Sequence, residues 1–209
     1  MLLDGLKNTI IITLGALLIG IVLGTAVAVI KFLAEEKPAL KPLAWLCNVY
    51  VTVVRGVPVV VLLLIFYFVI LRSADGIVTG IVAFGINSGA YMAEIIRGGI
   101  NAVDGGQTEA ARSLGFNRMA SMRFVVLPQA VKNILPAIGN EMIALLKETA
   151  VAGYVAVQDL TRAANLIRNN TYDALNPLLA TAIVYLTMVV LLTALLGKLE
   201  MRLRRSDVR

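Results

Sequence analysis

Residues 9–30 form an unbroken run without a charged side chain. This run is the feature that most clearly separates a membrane fold from a water-soluble one. An α-helix rises about 1.5 Å per residue, so a helix over this run can cross the roughly 30 Å hydrocarbon core of a bilayer. The run exceeds the apolar region of a typical signal peptide. Asp4 and Lys7 cancel, so the basic flank of a signal peptide is missing as well. The sequence therefore predicts a retained membrane helix.

The rest of the chain carries the same apolar excess. Of its 209 residues, 59% are hydrophobic and 15% are charged, whereas soluble domains are nearer one-quarter charged. Gly20 and Gly24 form a Gly-x-x-x-Gly pair, which predicts close packing against another helix of the same chain. The apolar segments predict an all-α membrane protein with five transmembrane helices, over about residues 9–31, 54–71, 76–99, 124–157 (broken) and 176–197.

The positive charges indicate how these spans are oriented. The net charge is +6, but the basic residues cluster at the ends of apolar segments and no nucleic-acid-binding module accompanies them. We therefore expect no nucleic-acid partner. Cytoplasmic loops of membrane proteins carry an excess of Lys and Arg. In a five-span topology the loop at 31–42, the polar stretch at 107–128 and the basic tail at 198–209 share one side. This predicts an outer amino terminus and a cytoplasmic carboxyl terminus.

The residue types also limit the chemistry. Cys47 is the single cysteine and there is no histidine, so an intrachain disulfide and a Cys- or His-based metal site are excluded. We expect no metal and a buried Cys47. The sequence has no Walker A pattern, no dinucleotide fingerprint and no plausible catalytic triad. Uphill transport by this chain would therefore draw energy from a partner or from an ion gradient.

The polar stretch at 107–128 has the signals of two helices joined at a glycine. Asp104 or Thr108 can cap the first helix, and Gly115 is placed to end it in a left-handed conformation. Asn117 can cap the second helix. A polar helix–glycine–helix arrangement cannot cross a bilayer, so it must lie on one face. It carries Arg112, Arg118 and Arg123, which places it in the cytoplasm.

Three features are predicted around the second and third spans. Residues 43–54, with Trp45 and Tyr50, suit an interfacial helix that leads into the second span. A cation at mid-bilayer is expensive, so Arg55 should lie near the interface or face protein. Glu94 and Arg97 are three residues apart and can pair on one helix face.

The fourth apolar segment contains polar groups at membrane depth. Intramembrane ionisable residues are functional candidates by default. Pro128 and Pro136 open backbone carbonyls and indicate breaks in the helix, which are tolerated where they line a cavity. On this basis we predict a substrate pathway that includes Asn140, Glu141, Lys147 and Glu148. The alternative is that Lys147 and Glu148 cap a broken helix near the outer interface and never meet substrate. Beyond it, the polar segment at 158–176 is either a surface for an extracytoplasmic partner or a solvated loop.

A longer pattern runs through the polar stretch: Glu-Ala-Ala, a glycine four residues later and a downstream Leu-Pro. Its positions are Glu109, Ala110, Ala111, Gly115, Leu127 and Pro128. This pattern resembles the EAA loop of ABC importer permeases, in the subfamily that serves polar amino acids. Further matching blocks lie at residues 89–103 and 145–149 and in the structural motif formed by Arg55, Gly56 and Pro58. The resemblance extends from about residue 6 to residue 200. Leu62 departs from it, because relatives commonly have Gln there, and this predicts a more apolar pathway.

The resemblance implies an ABC type I importer transmembrane fold over residues 5–200, with a cytoplasmic coupling elbow at 104–118. A separate ATPase would dock on this elbow at Glu109, Ala110 and Ala111, and Gly115 would hold the angle to the next span. Two copies of that ATPase would bind the ATP and Mg. This chain would then need no cofactor and would not itself be an enzyme.

The same resemblance implies the remaining partners. A second permease chain, identical or homologous, would complete the pore, and an extracytoplasmic solute-binding protein would deliver a polar amino acid. The complex would lie in the bacterial cytoplasmic membrane and work by alternating access. The alternative is an ion-coupled secondary amino acid carrier that uses the same intramembrane carboxylates. No inverted repeat is detectable in the sequence, which disfavours that alternative.

Overall fold

A computed structural model describes the backbone of residues 1–205 and the side chains of residues 1–203. Every regular element within that part of the chain is a helix, which confirms the all-α prediction. The helices are α1 (Leu2–Ala34), α2 (Lys41–Gly56), α3 (Val59–Ile65), α4 (Gly76–Asn101), α5 (Gly105–Ser113), α6 (Arg118–Ser121), α7 (Leu127–Glu148), α8 (Leu160–Thr171) and α9 (Leu175–Arg205). Turns of π-helix follow α3 (Phe66–Ile70) and join α6 to α7 (Met122–Val126), and 3-10 segments lie at Pro38–Leu40 and Thr149–Val155.

Helices α1 and α4 pack side by side and run in the same direction. Gly20 faces Ser88 and Gly24 faces Met92, so the contacts advance along both helices together. A Cβ atom on Gly20 would lie 2.8 Å from the Ser88 Oγ, and one on Gly24 would clash with Met92. Only residues without a side chain permit this approach. The prediction that Gly20 and Gly24 pack within the chain is confirmed.

Helix α7 runs antiparallel to α4. Ser88 meets Glu141, whereas Gly99, further along α4, meets the earlier residue Ile134 of α7. On the other side of α7, Gly139 packs against Leu196 of α9. Helix α7 is thus held between α4 and α9, which brings its polar residues into contact with α4.

The second predicted span is bent. Pro38–Gly56 and Val59–Ile70 meet at an angle of 109°, at extended Val57 and Pro58. The helical stretch after the bend ends at Ile70, which is short for the roughly 30 Å bilayer core. A helix that leads into a membrane segment at a corner fits the predicted interfacial helix at 43–54.

The two aromatic residues predicted for the interfacial helix have different environments in α2. The hydroxyl of Tyr50 donates a hydrogen bond to the Ile86 carbonyl oxygen at 2.6 Å and so attaches α2 to α4. The side chain of Trp45 is exposed. Cys47 is buried, as predicted, in an apolar cluster between α1, α2 and α4.

Five spans are not confirmed. In the described part of the chain, α1, α4 and Leu175–Leu203 of α9 are individually long and apolar enough to cross a membrane, and the bent pair counts as a fourth if it is one span. Helix α7 does not qualify because charged and amide side chains interrupt its apolar residues. The predicted basic tail continues α9 to Arg205, and residues 206–209 lie outside the described residues.

The fourth segment is broken at a different place from the one that its prolines indicated. Pro128 lies in the first turn of α7 and Pro136 lies inside it, yet α7 is continuous from Leu127 to Glu148. The break follows Glu148, where the chain tightens into the 3-10 segment Thr149–Val155. Proline at the first turn costs a helix no hydrogen bond, and neighbouring groups can re-satisfy the backbone at an internal proline.

Candidate functional site

The chain between α4 and α7 is a helix–glycine–helix elbow, and its local geometry follows the sequence. Asp104, not Thr108, caps α5, because its Oδ1 accepts a hydrogen bond from the Gly106 N–H at 2.8 Å. Gly115 has φ of +87°, the left-handed conformation predicted for it. Asn117 then caps α6 by accepting a hydrogen bond from the Ala120 N–H at 2.8 Å. These three local predictions are confirmed for Asp104, Gly115 and Asn117.

The predicted docking residues of the elbow do not share one environment. Glu109 and Ala110 are exposed on α5, but Ala111 is 1% exposed and packs against the chain's own helices. The methyl group of Ala111 is covered by this chain, so Glu109 and Ala110 are the predicted docking residues that a partner could reach, and docking on the elbow stays a prediction. Ala111 instead allows α5 to approach the rest of the chain closely.

The elbow also exposes large apolar side chains that the sequence reasoning missed. Leu114 is 80% exposed, and Phe116 and Met119 are exposed beside it. Isolated exposed apolar residues are common, but these three lie within six residues of each other and form an exposed apolar patch around the glycine corner. These residues flank Gly115, and their position beside a predicted helix corner was the sequence signal from which their exposure could have been predicted.

Arg118, the first residue of α6, contacts the carboxyl end of α1. Its Nη2 forms an ion pair and a hydrogen bond with Glu35, and its Nε lies 4.0 Å from the Glu36 carboxylate. Its guanidinium carbon is 4.9 Å from the centroid of the Phe32 ring. The elbow therefore contacts α1 through one arginine, two carboxylates and one aromatic face.

A second charged group lies at the same end of α1, α2 and α4. Arg97 donates hydrogen bonds to Glu94, the shortest at 2.6 Å, so the predicted pair is confirmed. Lys31 and Arg55 each have a nitrogen 3.9 Å from the Glu94 carboxylate. Arg55 also lies over the Tyr91 ring at 5.1 Å, so it faces protein, as predicted. The other residues of its motif, Gly56 and Pro58, form the corner between α2 and α3.

Two of the four candidate pathway residues face α4. Ser88 donates a hydrogen bond from Oγ to Glu141 Oε1 at 3.0 Å, and Asn87 donates one from Nδ2 to Glu148 Oε2 at 3.3 Å. Ser88 is fully buried and Asn87 is 3% exposed, while both carboxylates are half-buried. The sequence reasoning missed Asn87 and Ser88, because their role depends on the register between α4 and α7.

The other two candidates lie on a different side of α7. Asn140 and Lys147 are exposed and, seven residues apart, stand on one helix face. Lys147 and Glu148 form the last turn of α7, as the capping alternative expected, but Glu148 is hydrogen-bonded to α4. Leu62 is buried in the apolar cluster around Cys47, so it does not line an open path in this chain.

The segment at 158–176 is largely the helix α8 and not an irregular loop. Asp159 caps α8, with its two carboxylate oxygens accepting hydrogen bonds from the Thr161 and Arg162 N–H groups. Burial raises the pKa of the Asp159 carboxyl above its ordinary value. Arg162 donates a hydrogen bond to the Gly153 carbonyl oxygen at 2.5 Å and joins α8 to the 3-10 segment. Between them lies a cavity of about 550 Å³.

The amino-terminal end of α1 is tied to the start of α8. Leu160 donates its N–H to Thr9 Oγ1 at 3.1 Å, and Asn8 Nδ2 donates to the Gln158 carbonyl oxygen at 3.0 Å. Helix α1 therefore contacts α8 at one end and the elbow at the other. Within the described residues, no three His, Cys, Asp or Glu side chains are placed to hold a metal ion.

Residues 16–205 match the protein family described as "binding-protein-dependent transport system inner membrane component". Two similar proteins come from Bacillus subtilis (strain 168). The arginine transport system permease protein ArtQ is 37% identical over 99% of this chain and 94% of its own length. The probable glutamine ABC transporter permease protein GlnM is 36% identical, also over 99% of this chain and 94% of its own length.

Two solved structures share the fold. One, described as the crystal structure of an amino acid ABC transporter with histidines, has a TM-score of 0.90 and 41% sequence identity, over 96% of this chain and 93% of that one. The other, an inward-facing conformation of the MetNI methionine ABC transporter, has a TM-score of 0.83 over 97% of this chain and 96% of that one. At 22% identity, the second supports the fold alone.

Proposed function

Because this chain belongs to the family of binding-protein-dependent transport system inner membrane components, we propose that it is the permease subunit of an ATP-driven amino acid importer. Similar permeases are named for arginine and glutamine, and the similar structure at 41% identity is of an amino acid transporter. The subunit carries a polar amino acid across the bacterial cytoplasmic membrane by alternating access. ATP and Mg are bound by a separate ATPase, two copies of which serve the complex.

The exposed surface of the elbow is the observation that carries this proposal. Glu109 and Ala110 on α5 and the apolar side chain of Leu114 at its end are uncovered in the isolated chain. A protein partner would cover Leu114 in an apolar pocket and offer a basic group to Glu109. Gly115 fixes the direction in which α5 leaves the membrane segment, so a push on α5 reaches α7.

A second permease chain, identical or homologous, is supported by the exposed polar face of α7. Asn140 and Lys147 are unsuited to contact with lipid tails, because polar and charged side chains are costly in hydrocarbon. In a pair of chains these faces would turn to each other and enclose an aqueous path. The apolar outer faces of α1 and α9 would remain in contact with lipid.

The substrate pathway then lies along α7. Asn140 and Lys147 line its open side, and Glu141 and Glu148 flank it, each oriented by a hydrogen bond from buried α4 residues. Fixed carboxylates and an amide are groups that recognise the charged termini of an amino acid. The pathway includes these four residues together with the supporting pair Asn87 and Ser88.

The opposite end of the molecule is the side for the solute-binding protein. The cavity beside α8 is lined by Tyr154, Arg162 and Arg168 among others. In the five-span topology this end is extracytoplasmic, with the amino terminus outside and the carboxyl terminus in the cytoplasm. Helix α1 contacts α8 at its amino-terminal end and the elbow at its carboxyl-terminal end, so it connects the extracytoplasmic and cytoplasmic sides of the molecule.

Affinity purification of the tagged chain from its native membrane tests the assignment. We expect an ATPase to co-purify in stoichiometric amount, and Glu109→Lys and Leu114→Glu to reduce its recovery by about tenfold or more, as for central interface residues. Asp4→Lys is the matched control, since it reverses an exposed carboxylate at the other end of the molecule. Recovery of the chain without an ATPase, after gentle solubilisation and crosslinking, would refute the importer and favour an ion-coupled carrier.

A further inference from the structure

The elbow has an attachment to the membrane helices that the chain's connectivity does not require. Glu35 and Arg118 are 83 residues apart in sequence, yet their side chains form an ion pair. The elbow is joined covalently to α4 and α7, but not to α1. Arg118 therefore adds α1 to the elements that the elbow can move.

The geometry of the contact combines three interactions on one guanidinium group. The carboxylates of Glu35 and Glu36 approach different nitrogens, and the Phe32 ring lies under the guanidinium carbon. A single exposed ion pair contributes little, since each partner gives up side-chain freedom. A planar guanidinium held by two carboxylates and an aromatic face is better defined, because the fork and the stacking fix its orientation.

The position of Arg118 decides what this contact can do. It follows Gly115, whose left-handed conformation is the corner of the elbow, and it is the first residue after the Asn117 cap. A force applied to α5 can be absorbed by rotation at that corner or passed on to the helices. An arginine fixed to α1 directly after the corner resists the rotation.

Helix α1 is suited to carry the force onward. It packs along α4 through Gly20 and Gly24, and its other end is hydrogen-bonded to α8 through Thr9. The pair α1–α4 therefore forms a closely packed unit between the elbow and the outer end. A contact at Glu35 reaches the outer end without passing through α7.

We propose that Arg118 is a positioning residue that latches the elbow to α1 through Glu35 and Glu36, so that ATPase-driven movement of the elbow moves α1 and α4. The latch rests on the proposed function, since it presumes an ATPase on α5. It concerns how efficiently ATP hydrolysis is converted into transport. It does not concern whether the ATPase binds, because none of the latch residues lies on α5.

The test is a charge-reversal series in the complete transporter, reconstituted with its ATPase and solute-binding protein in liposomes. The quantity measured is amino acid imported per ATP hydrolysed. We expect Arg118→Glu to lower this ratio about two- to fivefold, the range of surface ion-pair energies, with the ATPase still bound. The triple variant Glu35→Arg, Glu36→Arg, Arg118→Glu, which restores opposite charges, should recover it. A merely structural role would change the yield of complex but not the ratio.

Arg123→Glu is the matched control. Arg123 belongs to the same helical run and also lies over an aromatic ring, that of Phe124, but it forms no ion pair among the described residues. Its reversal should leave the ratio unchanged. An unchanged ratio in Arg118→Glu, or a lowered ratio that the triple variant fails to restore, would overturn the latch alone. A wild-type complex that contains no ATPase would instead overturn the proposed function, and the latch with it.

Discussion

Ser88 on α4 donates a hydrogen bond to Glu141 on α7 at 3.0 Å, and the neighbouring Asn87 does the same for Glu148 at 3.3 Å. Two consecutive residues of α4 thus hold two carboxylates that lie two turns apart on α7. Both donors are buried, so neither can exchange its partner for water at no cost. The carboxylates are consequently held in fixed positions beside the open face of α7.

Replacing Ser88 by Ala is expected to weaken both folding and transport. Hydrogen bonds to charged groups contribute about 1.5–3 kcal/mol, so the free energy of unfolding of the purified chain should fall by about that amount. Amino acid uptake should fall as well, because Glu141 is no longer oriented. Thermal unfolding and uptake in proteoliposomes give the two readouts.

Thr13→Val provides the comparison for Ser88→Ala. Thr13 is also buried, but its hydroxyl donates to the Thr9 carbonyl oxygen within α1 and contacts no carboxylate. It should reduce stability less and leave uptake per folded complex unchanged. Equal uptake by Ser88→Ala and wild type would show that the Ser88–Glu141 bond has no part in transport.

The parallel contact between α1 and α4 depends on the absence of a side chain at Gly24. A Cβ there would clash with Met92 and approach the Ala93 nitrogen to 2.8 Å, and these are atoms that cannot rotate away. Gly24→Ala should therefore cost about 1–3 kcal/mol of unfolding free energy through overpacking. Gly98→Ala, in α4 with nothing within 4 Å of the new Cβ, should be neutral or stabilising. Similar unfolding temperatures for the two variants would contradict this packing.

The elbow angle depends on Gly115 for a different reason. Nothing lies within 4 Å of an added Cβ, so Gly115→Ala meets no steric obstacle. The substitution destabilises the fold only because an L-residue must then adopt φ of +87°. That cost is about 1–2 kcal/mol for an L-residue. Relaxation of the corner would turn α5 away, and we expect less ATPase to co-purify. Gly105→Ala, at the start of α5 and equally unobstructed, should retain the ATPase, so equal recovery from both variants would count against the angle.

Asp159 is expected to make stability depend on pH. Burial raises its pKa in the folded protein above the ordinary 3.8, so folding favours the protonated carboxyl. Its contribution is complete below the unfolded-state pKa and is lost as the pH rises through the folded-state pKa. Asp159→Asn keeps an oxygen acceptor for the cap of α8 without the charge. The unfolding temperature of Asp159→Asn minus that of wild type should therefore increase from about pH 4 to about pH 8. A difference that is constant with pH would contradict the burial effect.

Local chemistry explains which features were predictable. Asp104, Asn117 and Gly115 act on backbone groups within a few residues, so the caps and the left-handed corner could be read from the sequence. Ala111 could not be assigned a side, because a short helix of small residues has no apolar stripe. Whether Ala111 faces a partner or its own chain depends on what packs against α5.

The remaining differences arise from contacts between distant segments. Ser88 and Glu141 are 53 residues apart, and their pairing depends on the register between α4 and α7, which the periodicity of a single sequence does not contain. Pro136 was expected to break α7, but its neighbours support a continuous helix, and the break comes after Glu148 instead. The contact of Arg118 with Glu35 was likewise invisible, since only the cytoplasmic location of both residues could be inferred.

We infer that this chain carries amino acids with energy from ATP that a partner subunit hydrolyses. Uptake of a radiolabelled amino acid into proteoliposomes that contain the purified complex, with ATP supplied to the ATPase side, tests it most directly. We expect uptake that requires ATP and the solute-binding protein, stops with vanadate and persists with a protonophore. Uptake that proceeds without ATP and is abolished by the protonophore would instead identify an ion-coupled carrier.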